Sequence, residues 1–208
     1  MYVVDRDFGF APNPFHGICT LATCKPRIRS AARTGDWVVG MGGARLRSTG
    51  RCIFAMRVGR KLTFNEYWNG PEFRDKRPIR NGSLVMLVGD NVYHSDGAVW
   101  TQEDSHHSRS DGAPEPSNVI NDTSADAVLV SDIFYYFGTL APEVPTAILD
   151  AIDYQNGRNH RRISLPTPGS QFVDWLNTNF IANRIIGDPF DFQMGAARYS
   201  HATNRLSL

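Results

Sequence analysis

The chain has 208 residues, is 41% hydrophobic and 21% charged, and carries a formal net charge of +1 at neutral pH. Its length suffices for one large domain with an ordinary core, and its composition excludes wholesale disorder. No apolar run approaches the roughly 20 residues of a membrane span, and the opening MYVVDRDFGFAPN has acids where a secretory core would stand, so a cytoplasmic protein with no membrane partner is expected.

The charge is unevenly spread. Residues 1–80 hold 15 Lys and Arg against 6 Asp and Glu, residues 81–157 hold 1 against 12, and residues 158–208 hold 6 against 3. A basic first third can meet phosphates, while the acidic middle can repel them, hold a metal or pair with the basic part inside the fold. Cys19, Cys24 and Cys52 are an odd count without an export signal, which favours free buried thiols over disulfides. The C-x4-C pair Cys19 and Cys24 lacks the second pair of a zinc site.

In chain order, a strand at 2–4 precedes the Gly- and Pro-rich loop DFGFAPNPFHG, and GICTLATC leads to Pro26, which suits the first position of a helix over 26–34. Gly35 and Asp36 turn the chain into a buried strand, WVVGMGG, and residues 51–60 form the next. Thr63 can cap a short helix, FNEYW. SLVMLVG at 83–89 and VLVSDIFYYF at 128–137 read as strands. Between them lies a polar insertion, 90–127, without a regular pattern and long enough to be either functional or disordered, with a mobile tip expected at SDGAPEPSN. Helical spacing returns at 143–153 and at 170–184, where Phe172, Trp175, Leu176 and Phe180 make an apolar stripe. The tail ARYSHATNRLSL reads as a surface extension.

The insertion holds the densest chemistry. Tyr93, His94, Asp104, Ser105, His106 and His107 offer imidazoles, a carboxylate and hydroxyls that can move protons or meet the polar edge of a base. Asp104, His106 and His107 are the catalytic candidates. His94-Ser95-Asp96 has the spacing of two ligands of a facial iron site, with His160 or His201 as the distal partner, but the strands such a fold needs are too few. No metal site is assigned and the sequence identifies no cofactor. In the basic third, His16 beside Gly17, Lys25 and Arg29 on the short helix, and Trp37 on the strand behind it are candidate nucleotide contacts, together with Tyr93, His94 and Ser105. No nucleophile-elbow, Walker or dinucleotide-glycine motif is present.

The segments GFAPNPFHGICTLATCKPRIRSAARTGDWVVGMGG, RCIFAMRVGRKLTFNEYW, GDNVYH, DSHHS and VLVSDIFYYFG, in that order over residues 1–140, resemble the nucleotide modification associated domain 2 family. The resemblance implies a place in bacterial and phage systems that modify DNA bases or sense modified ones. A broader similarity links the basic helix and following strand to the barrels of the EVE, ASCH, YTH and PUA domains, which grip a nucleotide beside a barrel. The expected fold is therefore α+β: a small mixed or antiparallel β-barrel over 1–140 with flanking short helices, and a helical extension over 141–208 packed on it. The expected function is binding of a nucleotide or modified nucleic acid. The alternative is a hydrolase or transferase working through the Asp/His cluster, and a third reading is an interaction protein with no ligand. The sequence leaves the oligomeric state open.

Overall fold

The computed structural model describes residues 1–157, 160–164 and 166–207. In chain order its strands are β1 (Tyr2–Val4), β2 (Cys19–Leu21), β3 (Trp37–Gly42), β4 (Cys52–Arg57), β5 (Arg60–Leu62), β6 (Tyr93–Ser95), β7 (Trp100–Gln102), β8 (Val128–Ser131), β9 (Ile133–Tyr136), β10 (Arg184–Ile185), β11 (Arg198–Ser200) and β12 (Arg205–Ser207). The helices are α1 (Pro26–Ala31), α2 (Phe64–Asn69), α3 (Leu84–Leu87), α4 (Pro116–Thr123), α5 (Thr146–Ala151) and α6 (Gly169–Asn179).

Two sheets organise the chain. The larger runs β1-β3-β4-β9-β10, antiparallel at its centre and parallel at both edges. The smaller is the antiparallel β2-β8-β5. Alternation along β8 divides the apolar interior, because neighbouring side chains of a strand point to opposite faces. Leu129 enters the core shared with the larger sheet and α6, while Val128 and Val130 enter a second core with Phe8, Phe10, Phe64 and Tyr93. Gly40 permits the close contact of β3 and β4, since a Cβ there would meet the Phe54 ring at 2.1 Å. The mixed α and β content agrees with the α+β expectation, but the sheets close no barrel among the described residues.

Thr63 caps α2 as its sequence suggests, accepting the Glu66 N–H while the Glu66 carboxylate accepts the Thr63 N–H. Three other elements differ from expectation. SLVMLVG contains helix α3 rather than a strand, a distinction that so short an apolar run cannot carry by periodicity. VLVSDIFYYF is two strands in two sheets, broken where the Ser131 hydroxyl donates to the Ile133 carbonyl and the chain changes sheet. The insertion is ordered: it contains the β6–β7 hairpin and α4.

The C-terminal part joins the larger sheet and its core. β10 extends the larger sheet, and Phe172 and Leu176 of α6 are buried in its core. The tail forms the β11–β12 hairpin, and Tyr199 N–H donates to the His106 carbonyl. Residue 208 of that tail lies outside the described residues. Part of the charge division is also resolved internally: the carboxylate of Asp122 stands in the field of the buried Arg29, and that of Asp90 in the field of the buried Lys76.

Candidate active site

Strand β2 ends at Leu21 and α1 begins at Pro26, so the chain runs strand, tight turn, helix. In that turn Cys24 and Lys25 adopt φ of 55° and 43°, a left-handed backbone costing a non-glycine residue about 1–2 kcal/mol. Two bonds hold it, one from the distant Asp122 and one from the helix that follows. Cys24 N–H donates to Asp122 Oδ1 at 2.7 Å, and Arg29 Nε donates to the Cys24 carbonyl at 2.8 Å. Such strain persists only where its surroundings impose it, and it concentrates at functional positions.

His107 reaches the same place from the insertion. Its N–H donates to Ser105 Oγ, and its carbonyl accepts from Gln102 Nε2 at 3.0 Å and Asn118 Nδ2 at 2.7 Å. Asp122 comes from the end of α4. The imidazole stands between the other two side chains, with Nδ1 2.7 Å from Asp122 Oδ2 and Nε2 3.7 Å from Cys24 Sγ. Ligand-type atoms of the three residues lie within 4.8 Å of one another, a spacing that also suits a metal. The ring decides against that use: one nitrogen faces sulfur and the other faces the carboxylate, and a single ion cannot coordinate both nitrogens of one imidazole. Both carboxylate oxygens are already occupied, Oδ1 by Cys24 N–H and Asn121 Nδ2, Oδ2 by His107 and the Tyr93 hydroxyl. The arrangement is a thiol–imidazole–carboxylate relay.

The electrostatics agree. Burial alone would raise the Asp122 pKa, but the His107 charge and hydrogen bond and the Arg29 charge hold it below the usual carboxylate range. Burial alone would lower that of His107, and the charges of Asp122 and Cys24 with their hydrogen bonds reverse this and raise it. Asp122 thus holds a proton on Nδ1 and favours the imidazolium, whose Nε2–H faces sulfur. Cys19 and Cys52 are fully enclosed, and burial raises their pKa, that of Cys19 to about 12. Cys24 is only half-buried.

The relay opens into a cavity of about 600 Å³, within the range of small-molecule sites. Phe8, Phe10 and Tyr199 supply aromatic wall, and Arg6, Lys25 and Arg27 supply positive charge. The hydroxyl of Tyr2, another wall residue, is buried without a hydrogen-bond partner among the described residues.

His106 lines the cavity beside the Phe8 and Phe10 rings, at 4.4 and 5.2 Å. Its Nδ1 lies 2.6 Å from the Ala197 carbonyl, which fixes the proton there. Burial, and then the His107 charge, push its pKa down to about 3, so it is a neutral acceptor rather than a proton shuttle at neutral pH. The unfolded chain takes up that proton near the ordinary value of 6.5, so this contribution to stability is lost as pH falls from 6.5 towards 3. In urea unfolding at pH 7 and pH 4, His106→Gln is expected to lose less stability between the two pH values than the parent chain does. Asp7, raised by burial to about 6, opposes the trend in both proteins and cancels in the comparison.

The structure distributes the other sequence candidates. Lys25 lies at the cavity, its Nζ 4.8 Å above the Tyr2 ring. Tyr93 and Ser105 support the relay from behind through Asp122 and His107. Arg29 is fully buried and donates to the carbonyls of Cys24, Asp122, Ala125 and Ala127, so it is a backbone clamp rather than a phosphate contact. Asp104 is ion-paired with Arg198 and does not line the cavity. His94 stacks on Trp68 and pairs with Glu103, and Asp96 accepts the N–H groups of Ala98 and Val99 in a turn, so the facial pair does not form. His16 sits exposed in its loop, and Trp37 lines a different cavity.

Sequence reasoning weighed Cys24 only as a buried thiol or zinc ligand and missed Asp122 altogether. They lie 83 and 15 residues from His107, distances that no local spacing rule joins. The available signal was a cysteine between a strand and a helix-opening proline.

Neither a curated protein nor a solved structure gives a significant match to the chain. A family model does match, that of nucleotide modification associated domain 2, over residues 1–196, which include the whole relay. The chain therefore belongs to the nucleotide modification associated domain 2 family.

Proposed function

We propose that the chain is a cysteine-dependent enzyme of nucleotide modification, a hydrolase or acyltransferase acting on a carbonyl-type carbon carried by a nucleotide. Membership of the family associates it with nucleotide modification. The observation that carries the catalytic reading is the imidazole of His107 held between Cys24 Sγ and Asp122. The Sγ proton resides on His107 Nε2, and as the thiolate so formed bonds to the substrate carbon the carbonyl π electrons move to oxygen. Collapse expels an amine or alcohol, which takes the proton from Nε2. Water or an acceptor amine then gives its proton to Nε2 and cleaves the thioester, restoring the thiol. The cationic mouth and aromatic wall suit the nucleotide that bears the group.

A binding module that recognises a modified base is the second reading, favoured by neutral His106, an acceptor among aromatic rings. N4-acyl and O-acyl nucleoside monophosphates separate the two. Release of the acid should fall at least about 10³-fold in Cys24→Ser and 10²-fold or more in His107→Ala, the scale of lost nucleophilic and general-base catalysis. Turnover that survives Cys24→Ser would remove the enzyme reading, and tight binding without release would favour the module.

A further inference from the structure

A second cavity, of about 430 Å³, adjoins the first, and Ile28 and His160 belong to the walls of both. Trp37 lines it, its indole backed by the Tyr135 ring at 6.2 Å and 20°. Arg33, Arg161 and Arg162 lie around it, as Arg6, Lys25 and Arg27 lie around the first. Against these six cations stand the carboxylates of Asp5 and Asp36. Among the described residues Lys25, Arg27, Arg33 and Arg162 make no ion pair.

We infer that the substrate is a nucleotide within a single strand of nucleic acid, with its reacting base at Cys24 and a neighbouring base stacked on Trp37. This rests on the reading of the first cavity as a nucleotide site. A free mononucleotide fills one cavity and leaves the other without a purpose. A strand needs what the pair offers: two adjoining pockets with aromatic surface, and cations along the path between them for the linking phosphates. A duplex hides its base faces in its own stack, so it cannot fill both pockets without unpairing.

The test uses the full chain with Cys24→Ser, so that binding is read without turnover. Ligands are a fluorescent 12-nucleotide single-stranded DNA, an RNA of the same sequence, the duplex DNA, deoxyadenosine monophosphate, and a linear polyphosphate of equal charge. A single strand is expected to bind at least tenfold more tightly than the monophosphate, the duplex and the polyphosphate. Trp37→Ala and the pair Arg33→Glu, Arg162→Glu should each weaken strand binding about tenfold while leaving monophosphate binding unchanged, and the exposed arginine pair should also leave the thermal midpoint unchanged. Whichever of DNA and RNA binds more tightly names the strand. Strand affinity no better than that of the monophosphate, or matched by polyphosphate or duplex, or unmoved by these variants, overturns the inference. Acyl-nucleotide turnover at Cys24 would stand in that case, and strand binding would equally survive a failure of the thiol chemistry, so the two proposals fail separately.

Discussion

Asp122→Asn is expected to reduce the reactivity of Cys24 by roughly 10²- to 10⁴-fold, the range associated with a positioned acid or base and its correct tautomer. The asparagine preserves shape but replaces a carboxylate that serves four donors: Cys24 N–H, Asn121 Nδ2, Tyr93 O–H and His107 Nδ1. An amide oxygen cannot serve all four, and an amide N–H facing Nδ1 turns the imidazole to the tautomer whose proton points at sulfur. The readout is the rate of alkylation by iodoacetamide, measured on protein whose near-ultraviolet circular dichroism is native. A pH signature accompanies it. The pKa of Asp122 is lowered in the fold, so its stabilisation is complete above the ordinary value of 3.8 and is lost as pH falls through the folded value. That of His107 is raised, so its stabilisation is complete below the ordinary 6.5 and is lost as pH rises through the folded value. The pair therefore stabilises the chain most between these two values, and urea titrations should show that maximum flattened in Asp122→Asn.

Arg29→Met is expected to destabilise the chain by about 3–5 kcal/mol, the usual scale for breaking a buried, fully bonded charge. Methionine fills much of the volume but leaves the carbonyls of Cys24, Asp122, Ala125 and Ala127 without this donor. For a chain of this size the thermal midpoint should drop by roughly 10 °C. Arg29→Lys keeps the charge but lacks the planar fork, so it should fall between Arg29→Met and the parent. Because Arg29 also braces the strained turn, the lysine variant should alkylate more slowly at Cys24 while still folded. Loss of stability with unchanged Cys24 reactivity would mean that the clamp and the nucleophile are independent.

What could be read from the sequence was local. Thr63 announces its helix because capping is decided within four residues, and the β3 strand announces itself because β-branched Val38 and Val39 stand between a Gly-Asp turn and a run of glycines. The importance of the insertion was legible from its density of histidines, and His107 was among the catalytic candidates. Its partners were not legible. Cys24 and Asp122 join it through a sheet pairing between β2 and β8 and through the approach of α1 to α4. Nothing in a single sequence registers those contacts. Arg29 illustrates the same limit from the other side: an arginine on a basic helix reads as a surface charge until the four carbonyls converging on it are known. The barrel expectation is not confirmed: β8 and β9 divide between two sheets at Ser131 and Asp132, two turn-forming residues within an apolar run.

The most direct test of the central claim is site-resolved alkylation of the native chain with iodoacetamide at neutral pH, followed by peptide mass spectrometry. The relay predicts labelling at Cys24 alone, faster than N-acetylcysteine under the same conditions and slowed about tenfold or more by His107→Ala, with the enclosed Cys19 and Cys52 unlabelled. Labelling of Cys24 no faster than N-acetylcysteine, and indifferent to His107→Ala, would contradict it.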